Sequence, residues 1–190
     1  MLNEKTTGKD VDCNVLRTSD EVRKSWKVPL KYEDVAGFPA HSLDLGCYHI
    51  SSQPPRPGQP LLVLIHGYGS HEGDLVGLVP HLTSELATVS IQAPLPAGMG
   101  YATDAVIAWL DDAVPGTTPV ALLGFSQGGL MVTHLIRTRP DRFFAGVVLS
   151  GFVADTVVPG DEPLAKLAPP VFFGHGNRDP IVTGEAFARS

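Results

Sequence analysis

The chain has 190 residues, 43% of them hydrophobic and 18% charged, with a formal net charge of −6. That length suits one domain around a single sizeable core, and the composition excludes a disordered chain. The acidic balance argues against nucleic acid or an anionic membrane surface as the main partner, since both select for faces rich in Lys and Arg. No run approaches eighteen apolar residues, so no membrane-spanning helix is expected. Met1 to Asp10 lacks the apolar stretch of a signal peptide, and a cytoplasmic location is expected. Cys13 and Cys47 form no CxxC pair and neither sits in a Gly-flanked turn, so both read as free thiols in a reducing compartment.

Residues 1–27 are polar and mixed in charge and read as a loose leader, with a short helix expected over Ser19 to Lys27. A domain is expected over 28–190. Leu43 to Ile50 has the pattern of an edge strand, and Gln53 to Pro60 (QPPRPGQP) is a turn-rich loop. Leu61 to Ile65 is a continuous apolar run, as are Ala87 to Ile91, Val120 to Leu123, Ala145 to Leu149 and Val171 to Phe173. Strands apolar on both faces belong to parallel sheets covered on both sides. Between them the apolar spacing predicts helices over Leu75 to Leu86, Thr103 to Asp112 and Gln127 to Arg137. Strand and helix alternate, so the expected fold is α/β, with a doubly wound and mostly parallel sheet. There is no internal repeat.

Three loops carry chemistry. Gly124-Phe125-Ser126-Gln127-Gly128 follows one apolar run and opens a helix. Its Gly-x-Ser-x-Gly pattern permits a strand-to-helix turn tight enough to lift a serine hydroxyl above the sheet. Ser126 is therefore the candidate nucleophile, and the Gln127 amide a candidate donor to a developing oxyanion. His66-Gly67-Tyr68-Gly69 follows the first apolar run, and its glycines let the backbone curl towards a substrate carbonyl. The Tyr68 amide is the second candidate donor, with Gly67 beside it, and His66 is expected to pack against the loop. Gly174-His175-Gly176-Asn177-Arg178-Asp179-Pro180 follows the last apolar run. Asp179 is the candidate acid that would orient an imidazole, in the chain order Ser, Asp, His. Asp155 is the alternative acid. No metal-ligand spacing is present.

Together with Leu149-Ser150-Gly151 and Ile181-Val182, these motifs resemble the phospholipase/carboxylesterase family of α/β-hydrolases over about residues 60–190. The resemblance implies hydrolysis of carboxylic esters or thioesters through an acyl-serine intermediate. It puts Ser126 on the nucleophile, Asp179 on the acid, and Tyr68 and Gln127 on the oxyanion donors. It implies a small ester or acyl substrate and no cofactor.

Two departures accompany it. The family's catalytic His lies in a Gly-His loop about thirty residues past the acid, whereas no histidine follows Asp179 here. On that reading the domain is C-terminally incomplete, ending before the last strand and helix. The family also bears a Trp-Phe segment after the turn that is Ala93-Pro94-Leu95-Pro96 here, whereas Gly98 to Ala102 runs almost directly into the helix at Thr103. His71, His134 and His175 are weak substitutes for the base. Three readings follow: a serine esterase or thioesterase, a non-catalytic hydrolase-like protein that binds acyl ligands or a partner, and, disfavoured because it would use Cys at position 126, a dienelactone-hydrolase-like enzyme. A sheet lacking its last strand would leave Val171 to Phe173 as an apolar edge open to self-association.

Overall fold

The computed structural model describes residues 48–50, 58–82, 85–92 and 99–183. The leader and its helix, Cys13, Cys47, residues 43–47 of the expected first strand and the segment 93–98 lie outside the described residues. Among those described, six strands form one sheet in the order β1-β3-β2-β4-β5-β6. They are β1 (Tyr48–Ile50), β2 (Leu61–Ile65), β3 (Ala87–Ile91), β4 (Val120–Phe125), β5 (Phe143–Leu149) and β6 (Val171–Gly174). β1 runs antiparallel to β3, and every other pairing is parallel. Every residue of β2 and β3 is buried, as continuous apolar runs demand of strands covered on both faces.

The two faces have separate cores. On one, Val63 and Ile65 of β2, Val89 of β3 and Leu122 of β4 pack against α1 (Met99–Ala113) and α2 (Gln127–Thr138). Trp109 of α1 and Leu135 of α2 are fully buried there, and Leu164 of α3 (Asp161–Leu167) joins the same cluster. On the other face, Leu62, Leu64, Ala121 and Leu123 meet Leu75, Leu78 and Val79. The chain leaves β2 for β3 in one direction and then crosses back to β4 on β2's other side. Connections of fixed hand must change face when their direction reverses, which makes the sheet doubly wound. The reversal also opens a crevice beyond the carboxyl ends of β2 and β4, where α/β sheets bind ligands.

Several boundaries differ from the expected ones. The helix expected over Leu75 to Leu86 is a single 3₁₀ segment, Val76–His81, with Pro80 inside it. Proline lacks the amide a longer α-helix would need, and Leu86 abuts β3 instead. α1 starts four residues before Thr103, so Met99 to Ala102 is its first turn and not a loop. The Thr103 hydroxyl donates to the Met99 carbonyl at 2.8 Å, which helps close that turn. α3 was not expected. It is short, and Pro163 sits in its first turn, where a missing amide does no harm.

Arg137 at the end of α2 ties α3 down. Its Nε and Nη2 donate to the two carboxylate oxygens of Asp161 at 2.7 and 2.8 Å. Its Nη1 donates to the Ala154 carbonyl at 2.9 Å, and Nη2 also donates to the Thr156 carbonyl. The Val158 amide donates to Asp161 at 2.9 Å. The Arg137 bonds, and then that amide, hold the Asp161 carboxyl down at about 2. A carboxyl depressed on folding stabilises the fold above its unfolded value, near 3.8, and loses that contribution as pH falls towards 2. Urea titrations of the protein and of Asp161→Asn should therefore differ by a constant amount above about pH 4 and converge towards pH 2. A difference that stayed constant throughout would refute the linkage.

Candidate active site

The β4–α2 turn has the geometry its glycines permit. Ser126 has φ 54° and ψ −116°, a left-handed and strained conformation for a residue with a side chain. Its amide donates to the Leu149 carbonyl at 2.8 Å, and its own carbonyl accepts from the Leu130 amide at 3.1 Å. Its hydroxyl makes no cap bond to the helix, so the side chain is not consumed by the structure that strains it. A Cβ at Gly124 would stand 2.1 Å from the Gly128 carbonyl oxygen, and one at Gly128 would stand 2.0 Å from that of Ile65. Both contacts are backbone. The turn closes this tightly against itself and against the end of β2 because those two positions lack a side chain.

The loop after β2 meets the same turn. The Ser70 amide donates to the Gly67 carbonyl at 3.2 Å, and Gly69 has φ 72°. A positive φ at the third position of such a turn favours glycine. A Cβ added at Gly67 would come within 3.5 Å of that of Ser126, so the loop runs beside the nucleophile turn. The Tyr68 amide is not used by this turn, and the Tyr68 ring is 87% exposed. Buried His66 donates from Nδ1 to the Gly67 carbonyl at 2.8 Å, a packing role within the loop. Gln127 is the first residue of α2, whose leading amides have no carbonyl partners within the helix. Helix N-termini favour negative charge.

A pocket of about 420 Å³ opens over Ser126, lined by Tyr68, Ser126, Gln127, Leu130, Phe152, Ile181 and Val182. The candidate nucleophile and both candidate donor residues thus share one pocket. Asp179 does not line it but binds the amides of two residues that do. The Asp179 Oδ1 accepts from the amides of Ile181 at 2.9 Å and Val182 at 3.1 Å. Those two bonds, in that order, hold the Asp179 carboxyl below its ordinary value, with smaller contributions from the Ser150 hydroxyl and the His175 charge. Asp155 is exposed in the β5–α3 connection and is not among the lining residues. The apolar wall residues Leu130, Phe152, Ile181 and Val182 were not expected. Of these, Ile181 and Val182 carried a usable signal: two apolar residues set directly after the acid's Asp-Pro turn.

Residues 90–188 match the family model described as Phospholipase/Carboxylesterase. The chain belongs to the phospholipase/carboxylesterase family. It is similar to the esterase YpfH of Escherichia coli (strain K12), at 24% identity over 163 residues, 71% of this chain and 68% of that one. A pimeloyl-[acyl-carrier protein] methyl ester esterase of Methylococcus capsulatus is 32% identical over 115 residues, 57% of this chain and 44% of the other. Among solved structures, Zea mays acyl-protein thioesterase 2 superposes with TM-score 0.60 at 16% identity, covering 76% of this chain and 81% of that one. The Bacillus cereus carboxylesterase gives 0.60 at 20% identity, over 74% of each chain. At those identities the structures establish a shared fold.

The His71 Nδ1 accepts from the Gly73 amide at 3.0 Å within its own turn. His134 is half-buried on α2, and burial, then Arg137, lower its pKa. His175 sits beside Asp179. None of the described residues lining the pocket is a histidine. Among the described residues no three His, Cys, Asp or Glu side chains are grouped to hold a metal ion, and no helix is long and apolar enough to cross a membrane.

Proposed function

We propose that this protein hydrolyses carboxylic esters or thioesters by nucleophilic catalysis at Ser126. The single observation that carries the reading is Ser126 itself: a strained serine, uncapped, at the mouth of an apolar pocket and at the N-terminus of a helix. Ser126 Oγ attacks the substrate carbonyl carbon, and the electron pair moves to the carbonyl oxygen. The amides of Gln127 and Tyr68, two residues that line the same pocket, are the groups assigned to receive that charge. Collapse of the adduct expels the alcohol or thiol and leaves an acyl-serine. Water then attacks the acyl carbon and releases the acid and the Ser126 hydroxyl. The proton from Ser126 passes to a base outside the described lining of the pocket, and from it to the departing group. Asp179 is the carboxylate assigned to orient that base. The wall of Leu130, Phe152, Ile181 and Val182 supports an apolar acyl group as the part of the substrate it holds.

Hydrolysis of short-chain 4-nitrophenyl esters, compared between the protein and Ser126→Ala, tests the reading. Turnover that vanishes with the hydroxyl supports it. The second reading, a hydrolase-like protein that binds acyl ligands without turning them over, is favoured by the absence of histidine from the described lining. Saturable binding of a fatty acid without turnover of its ester would select it.

Among the described residues β6 is an edge strand, which supports a further expectation. Phe172 is 62% exposed, and Phe144 on the neighbouring β5 is 44% exposed. Apolar strand edges pair readily with other chains. The protein should self-associate at micromolar concentration, and a monomer by light scattering would contradict this.

A further inference from the structure

We propose that Phe152, set beside Leu130, limits the length of acyl chain that the pocket over Ser126 accepts. The proposal rests on the reading that Ser126 carries the acyl group, and it names the part of the substrate that the protein selects. Leu130 lies one helical turn past Ser126 on α2, its amide donating to the Ser126 carbonyl at 3.1 Å. Phe152 comes from the connection after β5. Both line the pocket, and both are half-buried.

Two contacts bring them together. Gly129 precedes Leu130, and Gly151 precedes Phe152. A Cβ at Gly151 would stand 2.8 Å from the Gly129 Cα, and one at Gly129 would stand 3.0 Å from the Gly151 Cα. Helix and connection thus touch backbone to backbone where neither carries a side chain, and the next residue on each side lines the same pocket. The buried Thr133 hydroxyl completes the clamp, sharing its proton between the Leu130 carbonyl at 2.8 Å and the Phe152 carbonyl at 3.3 Å. Phe152 is therefore held against the helix that presents the nucleophile. The lining divides by exposure: Tyr68, Gln127 and Ile181 are exposed at the mouth, whereas Leu130, Phe152 and Val182 lie deeper. The alcohol or thiol departs, while the acyl group stays bonded to Ser126 Oγ until water releases it. At about 420 Å³ the pocket is near the small end of ligand sites. An acyl chain entering it should gain about fourfold in kcat/KM per methylene until it meets the Phe152 ring.

The test is kcat/KM for 4-nitrophenyl esters of straight-chain acids, from acetate to dodecanoate, on the protein, on F152A and on F152W. Each value is divided by the same protein's value for acetate, so that any loss of folded enzyme cancels. The wild-type ratios should rise, peak and fall. F152A should move the peak to longer chains, with a gain of at least about tenfold for the ester just beyond the wild-type peak, the scale of one methylene that an apolar pocket admits or rejects. F152W should move the peak to shorter chains. A merely structural role for Phe152 would depress every ester alike and leave the peak in place. A second series, acetates of lengthening straight-chain alcohols, should keep its order in both variants. Peaks that coincide in all three proteins, or a shift confined to the alcohol series, would overturn the assignment. If the wild type turns over none of the esters, the reading at Ser126 fails and the proposal falls with it.

Discussion

Replacing Gly128 by Ala should remove more than about 4 kcal/mol of stability, enough to leave much of the protein unfolded at 37 °C. The added methyl carbon would stand 2.0 Å from the Ile65 carbonyl oxygen and 2.7 Å from that of His66. Neither neighbour is the free end of a side chain. Both belong to the backbone at the end of β2, in the middle of the sheet between β3 and β4. Relief would require α2 to lift from the sheet, which would open the core around Val132 and Leu135, both fully buried. Gly100→Ala is the control. Nothing lies within 4 Å of its added methyl, in the first turn of α1, and the change should be neutral or stabilise by up to about 1 kcal/mol. Thermal melts check both. For a chain of this size, a loss of 4 kcal/mol lowers Tm by about 8–16 °C. A Gly128→Ala protein melting within a few degrees of wild type would mean that the turn does not pack as described.

The second large effect is kinetic. Ser126→Ala should lower kcat/KM for ester substrates by at least about 10³-fold, because nucleophile and base act as a unit whose loss leaves only the oxyanion donors and binding. Stability should change in the opposite sense, or hardly at all. Ser126 Oγ makes no cap bond and its backbone is strained at φ 54°, so nothing structural is lost with the hydroxyl. A substitution that abolishes activity while sparing the fold is the pattern expected of a nucleophile. If instead Ser126→Ala reduced kcat/KM by less than about tenfold, the hydroxyl would not be the attacking group.

Much of the fold is legible because parallel strands buried on both faces leave uninterrupted apolar runs. Leu61 to Ile65 and Ala87 to Ile91 coincide with β2 and β3 for that reason. The 3₁₀ segment was harder to read. Leu75, Leu78, Val79, Leu82 and Leu86 repeat at helical spacing, but the apolar period is indifferent to whether Pro80 lets the helix continue. α3 escaped because it has no buried residue, and its anchor is the ion pair of Asp161 with Arg137, 24 positions earlier. Pairings of that kind leave no periodic trace. At the site, the positions constrained by backbone geometry were readable: glycines 124 and 128 mark close approaches that exclude other residues. The apolar wall was not. Leu130 and Phe152 reach the pocket from a helix and a loop far apart in sequence, and they look like ordinary core residues until the sheet brings them together.

The most direct test of the account is the intact mass of the protein after exposure to a fluorophosphonate. The account predicts one phosphonyl adduct per chain, mapped to the peptide containing Ser126 and absent from Ser126→Ala. An unmodified mass, or an adduct that persists in Ser126→Ala, would contradict it.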